Sequence, residues 1–152
     1  MYLLDTCVIS DLGSKTPTPS VVAWVDGVEE EHLYLSVITI GEIRKGIDRL
    51  PISNRRRELE AWLEGELSDR FRGRLVPIDV DVMLAWGELT VGLERAGKTM
   101  PAIDSIIAAV AIRHALRLVT RNVKDFDVAG IEIIDPWKPE PKRGRLKRRK
   151  IE

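Results

Sequence analysis

Ala102-Ile-Asp-Ser-Ile-Ile-Ala-Ala-Val-Ala-Ile-Arg-His-Ala-Leu116, followed at once by Arg117-Leu-Val-Thr120, decides the fold. The first run is rich in Ala and Ile with few polar breaks, which predicts a helix buried on most of its circumference. The second reads as a short strand. The same alternation extends in both directions. Upstream lie strand candidates at residues 2–4 (Tyr-Leu-Leu), Leu33–Ile38 and Arg74–Ile78, and Ile131–Ile134 follows downstream. Between them, Ser20 is placed to cap a helix carrying Val21, Trp24, Val25 and Val28 at helical spacing, and the stretch from residue 5 to Pro19 reads as a loop. Thr39–Ile47 and, after Pro51, Asn54–Leu67 read as a helical hairpin. Val82, Trp86, Leu89 and Leu93 mark a helix ending near Gly97. Strands alternating with helices predict an α/β fold with a mostly parallel central sheet flanked by helices.

The chain has 152 residues, 44% hydrophobic and 32% charged, which suits one globular domain and excludes collagen-like or low-complexity chains. Lys and Arg balance Asp and Glu at 24 each, but the balance hides a gradient. Residues 138–152 hold eight basic side chains against Glu140 and Glu152, a net +6, so the body carries −6. Overall charge is therefore no argument for a polyanion partner. The expected division is a domain over 1–137 and a basic, Pro-containing, solvated tail over 138–152, with binding to a nucleic-acid backbone as the alternative for the tail. Cys7 alone cannot make an internal disulfide, and His32 and His114 complete no zinc spacing. With no signal-like or membrane-spanning run, the expected location is the cytoplasm.

In parallel sheets ligands bind beyond the carboxyl ends of the strands, and several acids fall there. Asp5 ends the first strand, Glu42 lies four residues beyond the second, Asp104 lies in the first turn of the Ala-rich helix, and Asp125 follows the fourth strand. Each also has a plain reading. Asp5 and Asp125 suit turns, Thr39-x-x-Glu42 spells a capping box, and Asp104 suits a helix start. Brought together, the four would repel one another unless a cation neutralised them, and an all-oxygen site favours Mg²⁺ or Mn²⁺.

The segments Leu3-Leu-Asp5-Thr6, Leu35-Ser-Val-Ile-Thr39-Ile-Gly-Glu42-Ile43, Ala102-Ile-Asp104-Ser-Ile-Ile-Ala108-Ala109 and Leu118-Val-Thr120-Arg-Asn122-Val-Lys-Asp125-Phe126 resemble the successive motifs of PIN-domain ribonucleases. Their order and spacing are similar to those of VapC-type toxins, including the FitB-like branch, over roughly residues 2–137. The resemblance implies a PIN-like three-layer sandwich and a Mg²⁺- or Mn²⁺-dependent endoribonuclease that leaves a 5′-phosphate and a 3′-hydroxyl. It also implies the toxin of a type II toxin–antitoxin pair: a homodimer, inhibited by a small VapB-like antitoxin laid across the active-site groove, the complex able to bind operator DNA. Carried over by position, Asp5 and Asp104 are the metal ligands, Glu42 completes the acidic site directly or through water, and Asp125 is the fourth acid. Some relatives place that acid at the position of Asn122. Thr6, Thr120 and Asn122 are polar supports, Arg44, Arg121 and Lys124 are candidates for RNA phosphates, and Cys7 stands where relatives often have Asn. Two other readings stay open: a non-catalytic protein- or DNA-binding module of the same fold, and an RNA-processing nuclease without an antitoxin.

Gly92-Leu-Glu-Arg-Ala-Gly97-Lys98-Thr99 matches the phosphate-loop pattern letter for letter. It lacks the preceding strand, Gly92 sits within a helical stripe, and Pro101 follows, so Gly97 is read as a helix C-cap. Trp24, Trp62, Trp86 and Trp137 are read as core or interface anchors.

Overall fold

The computed structural model describes residues 1–138; the remaining basic residues of the predicted tail lie outside it. Five strands form one parallel sheet: β1 (Tyr2–Leu4), β2 (Leu33–Ser36), β3 (Leu75–Val76), β4 (Arg117–Val119) and β5 (Ile133–Ile134), in the order β3-β2-β1-β4-β5. The order reverses at β1, so the crevice between the carboxyl ends of β1 and β4 is the point at which such sheets accept ligands.

Side chains alternate across the strands and divide the core into two layers. Leu4, Leu33, Leu35 and Val119 face one layer with α1 (Thr6–Leu12), α2 (Pro19–Asp26), α3 (Val37–Asp48) and the segment running from α4 (Asn54–Trp62) to α5 (Ser68–Arg70). Leu3, Val76 and Leu118 face the other, with α6 (Val80–Arg95), α7 (Ala102–His114) and Phe126 of α8 (Val123–Phe126). The predicted sandwich is thus present. Helix α7 is buried along Ile107–Ala111 as its composition required, and Ala108, Ala109 and Ala111 let its backbone approach the sheet.

The structure corrects several boundaries. Residues 6–12, read as loop, are helical: Asp5 caps them, and burial of Val8 and Ile9 outweighs the modest helix propensity of Thr-Cys-Val-Ile. Helix α2 starts at Pro19 with Thr18 rather than Ser20 before it, since proline suits the first helical position. Strand β2 ends at Ser36, whose hydroxyl accepts from the Ile38 amide and starts α3 two residues earlier than predicted. The Thr39–Glu42 capping box therefore does not form, and Glu42 is free for another partner. The expected hairpin of α3 and α4 is present, with a π-helical turn at Leu63–Leu67. Gly97 adopts a left-handed conformation (φ +67°), its amide donates to the Glu94 carbonyl and the Lys98 amide to that of Leu93, so the phosphate-loop lookalike is a helix ending.

Helix α7 ends on Ala115, the one non-glycine residue of positive φ (51°) among the described residues. A Cβ in this region is strained, and glycine is the residue that adopts it freely. Ala115→Gly is expected to raise stability by up to about 1 kcal/mol, after allowance for the greater freedom glycine gives the unfolded chain. Thermal or urea unfolding checks it; a loss of more than about 1 kcal/mol would show that the Ala115 methyl contributes packing that outweighs the strain.

Candidate active site

Asp5 stands at the junction of β1 and α1 and is 4% exposed. Its amide donates to the Val119 carbonyl (3.0 Å), so the sheet itself fixes its backbone. Its side chain is held twice more: Oδ1 accepts from the Thr6 amide (2.8 Å) and Oδ2 from the Thr120 hydroxyl (2.7 Å). Thr120 follows β4 and is fully buried, and its Oγ1 in turn accepts from the Asn122 amide (3.0 Å). Asn122 thus supports the site through its backbone; its side chain makes no capping bond to α8.

Thr6 joins Asp5 to Glu42. Its hydroxyl donates to Glu42 Oε1 at 2.6 Å, and Thr39 Oγ1 lies 3.3 Å from it. Buried Thr39 was not singled out in the sequence, where its only visible role was a helix start. Cys7 Sγ lies 3.6 Å from Asp5 Oδ2 and 3.5 Å from Thr120 Oγ1. Burial, and next the negative charge of Asp5, push its thiol up from the ordinary value, so the sulfur stays protonated and acts as a weak donor, not a nucleophile.

Asp104 reaches the same edge from the first turn of α7, and Asp125 from α8, whose start is set by the Asp125 amide donating to the Asn122 carbonyl. Burial raises the Asp104 pKa from 3.8 to about 6, with further contributions from the charges of Asp5, Asp125 and Glu42, in that order. The other three predicted acids therefore lie near enough to act on Asp104 electrostatically. The four do not close into a tight cage. Among the described residues the group whose ligand atoms lie within 4.8 Å of one another is Glu29, Glu31 and His32, at the opposite, amino end of β2.

The predicted cations differ in their surroundings. Arg44 is held by Asp48 (3.2 Å) and Glu64 (3.3 Å). Arg121, next to Thr120, is exposed and stacks on Trp137, its guanidinium carbon 4.8 Å from the ring centroid. Lys124 is exposed on α8. A cavity of about 260 Å³ between α1, α3 and α4, lined in part by Gly13, Ile47, Leu59 and Trp62, also has Glu42 in its wall.

Residues 2–131 match the PIN domain family. The chain is 39% identical over 139 residues to "VapC ribonuclease Y4jK" of Sinorhizobium fredii, covering 91% of this chain and 99% of that protein. It is 36% identical over 137 residues to "Toxin FitB" of Neisseria gonorrhoeae, covering 90% and 99%. A solved structure of FitAB bound to an IR36 DNA fragment superposes with a TM-score of 0.87 at 34% identity, covering 93% of this chain and 99% of that one. A parallel sheet whose switch point gathers acids from β1, α3, α7 and α8, together with these matches, places the chain: it belongs to the PIN domain family, among the VapC and FitB toxins.

Proposed function

We propose that this chain is a metal-dependent endoribonuclease that hydrolyses RNA phosphodiester bonds as the toxin of a type II toxin–antitoxin module in the cytoplasm. The observation that carries the reading is the meeting of Asp5, Glu42, Asp104 and Asp125 at one sheet edge, where burial first and then the charges of the other three raise the proton affinity of Asp104. Such crowding is unfavourable in the chain by itself and is relieved by a cation.

The donor set fits Mg²⁺ or Mn²⁺. It is all oxygen, the nearby Cys7 thiol keeps its proton, and the open spacing suits an ion that retains several waters. Asp5 and Asp104 would hold the ion, with Glu42 and Asp125 completing the acidic rim directly or through water. When bound, the ion supplies a Lewis acid for a phosphate oxygen and lowers the pKa of a coordinated water. The chain supplies preorganisation. Thr120 and the Thr6 amide fix Asp5 in one orientation, and each of its oxygens keeps acceptor capacity. The Thr6 hydroxyl fixes Glu42, and Arg121 and Lys124 are placed to meet RNA phosphates. The cavity beside Glu42 offers apolar lining to an antitoxin segment laid across the groove, and the likeness to FitAB on DNA supports operator binding by the complex. The reading includes a homodimer, as the resemblance of the sequence motifs implies.

The deciding test is cleavage of single-stranded RNA by the purified chain with Mg²⁺, with Mn²⁺ and with EDTA, alongside Asp5→Asn and Asp104→Asn. Cleavage with metal that both variants abolish supports the reading. Activity in EDTA, or in either variant at the wild-type level, overturns it, and stoichiometric inhibition by a co-encoded small protein separates a toxin from a processing enzyme.

Two further outcomes follow from the geometry. Because the folded chain binds the Asp104 proton more tightly than the unfolded chain does, metal-free stability is expected to fall as pH rises from about 4 to about 6, then level off. Asp104→Asn removes that penalty. With allowance for solvent screening, it is expected to stabilise the metal-free protein at pH 7.5 by on the order of 1 kcal/mol, about 2–4 °C in melting temperature, while wild type and variant converge near pH 4. Equal melting curves at both pH values would remove the proposed crowding. Thr6→Val, which leaves Glu42 without its donor, is expected to lower kcat about 10–100-fold, whereas Thr6→Ser retains most activity; an unaffected Thr6→Val enzyme would leave the hydroxyl a packing role only.

A further inference from the structure

Gly97-Lys98-Thr99 ends α6 instead of opening a helix, yet Lys98 and Thr99 border a second cavity, also of about 260 Å³. It lies between the C-terminal half of α6, the segment joining α6 to α7, and the first turn of α7. That first turn serves two places at once. Ala102 and Ser105 line the cavity, and Asp104, between them in sequence, belongs to the acidic edge. The two places are separated by no more than the width of one helix, about 10–12 Å with side chains. A strand whose phosphate meets Asp104 therefore brings a neighbouring nucleotide to the cavity.

The lining suits a flat ring with a polar edge. The Trp86 indole forms one wall and is pinned in place: its Nε1–H donates to Ser105 Oγ (2.8 Å), whose hydroxyl donates in turn to the Ala102 carbonyl (2.6 Å). Leu93 and Met100 add apolar surface. Glu94 and Lys98 stand exposed at the rim, and among the described residues neither is tied in an ion pair. An aromatic wall gives stacking to the face of a base, and a free carboxylate and ammonium offer an acceptor and donors to its edge. An aliphatic side chain would use the walls and leave both charges idle. The volume falls below the roughly 300 Å³ at which pockets for drug-sized ligands begin, so it holds one ring system. Guanine matches the rim best. Its pairing edge sets two N–H donors, which Glu94 can accept together, beside a carbonyl oxygen that Lys98 can meet.

We infer that this cavity binds one base of the RNA strand, guanine in preference, beside the phosphate held at the acidic edge, and that Glu94 reads it. The inference rests on the ribonuclease reading above. It gives the unused lysine of the phosphate-loop lookalike a role at the base edge.

The test uses the full chain in the Asp104→Asn background, which binds without turnover. Glu94→Gln changes an exposed side chain and Ala102→Leu fills the mouth of the cavity, with thermal melting to confirm that both variants are folded. The probes are short single-stranded pyrimidine oligomers of RNA carrying one central guanine or one central adenine. The unsubstituted background is expected to prefer the guanine oligomer at least about fivefold, Glu94→Gln to lose that preference, and Ala102→Leu to weaken binding of the guanine oligomer by a similar factor. The indole N–H resonance of Trp86, identified by its loss in Trp86→Phe, is expected to shift as the guanine oligomer is added. In the active enzyme, cuts in a mixed-sequence RNA are expected at a fixed spacing from a guanine, and Glu94→Gln to scatter them. Equal affinity for the two oligomers, a preference that survives Glu94→Gln, undiminished affinity in Ala102→Leu, or an unmoved Trp86 resonance would each overturn the inference. A chain that shows the binding preference but cuts no RNA would count against the ribonuclease reading and leave the base site standing.

Discussion

The Asp5 carboxylate is the point on which the site depends. It is buried, and a buried charge is tolerable only when its oxygens are bonded. The Thr6 amide, from the helix that Asp5 itself caps, and the Thr120 hydroxyl, just beyond β4, donate to the two carboxylate oxygens, while the Val119 carbonyl of β4 holds the Asp5 backbone. One side chain therefore ties β1, α1 and β4 together where the sheet order reverses. The site cannot be loosened without disturbing the sheet, and the sheet cannot shift without reorienting the carboxylate.

Electrostatic strain is concentrated where that framework is stiffest. Asp104 enters on α7, the most thoroughly buried helix, and burial, followed by the charges of Asp5, Asp125 and Glu42, raises its proton affinity. Glu42 is restrained by a single short bond from Thr6, and Asp125 sits exposed on the four-residue α8. The two proposed ligands are thus on rigid elements while the outer acids are more weakly held. That division suits a site in which water and substrate oxygens share the coordination sphere with protein.

Much of this was legible in the chain. The Ala-rich run at 102–114 gave the buried helix, the short apolar runs gave the strands, and the acids after them fell at the switch point because parallel topology puts every strand end on one edge. What was not legible was local competition. Thr6–Leu12 lacks a strong helix pattern and is helical because Asp5 caps it and the core takes up Val8 and Ile9. Thr39 and Glu42 spell a capping box, but Ser36 starts the helix earlier, and this displacement releases Glu42 to Thr6. Asn122 reads as a polar support, and the contact it makes to Thr120 comes from its backbone amide, which any non-proline residue would supply. The release of Glu42 turns on which of two hydroxyls three residues apart, that of Ser36 or of Thr39, starts the helix, a choice that composition and spacing do not encode.

The contrast between two acidic groups shows why proximity alone is a poor guide to function. Glu29, Glu31 and His32 approach one another more closely than the four site acids do, yet both glutamates are largely exposed, near 75%. Water and a neighbouring imidazole there relieve repulsion at little cost, and nothing holds the geometry. At the carboxyl edge the acids are farther apart, but Asp5 is hydrogen-bonded to buried Thr120, Glu42 to Thr6, and Asp104 is carried on the packed α7, so side-chain rotation relieves less of the repulsion there. A cation gains most where the chain has already ordered the ligands and been left with uncompensated charge, which is the ground for proposing Asp5 and Asp104, and not the tighter surface group, as its ligands.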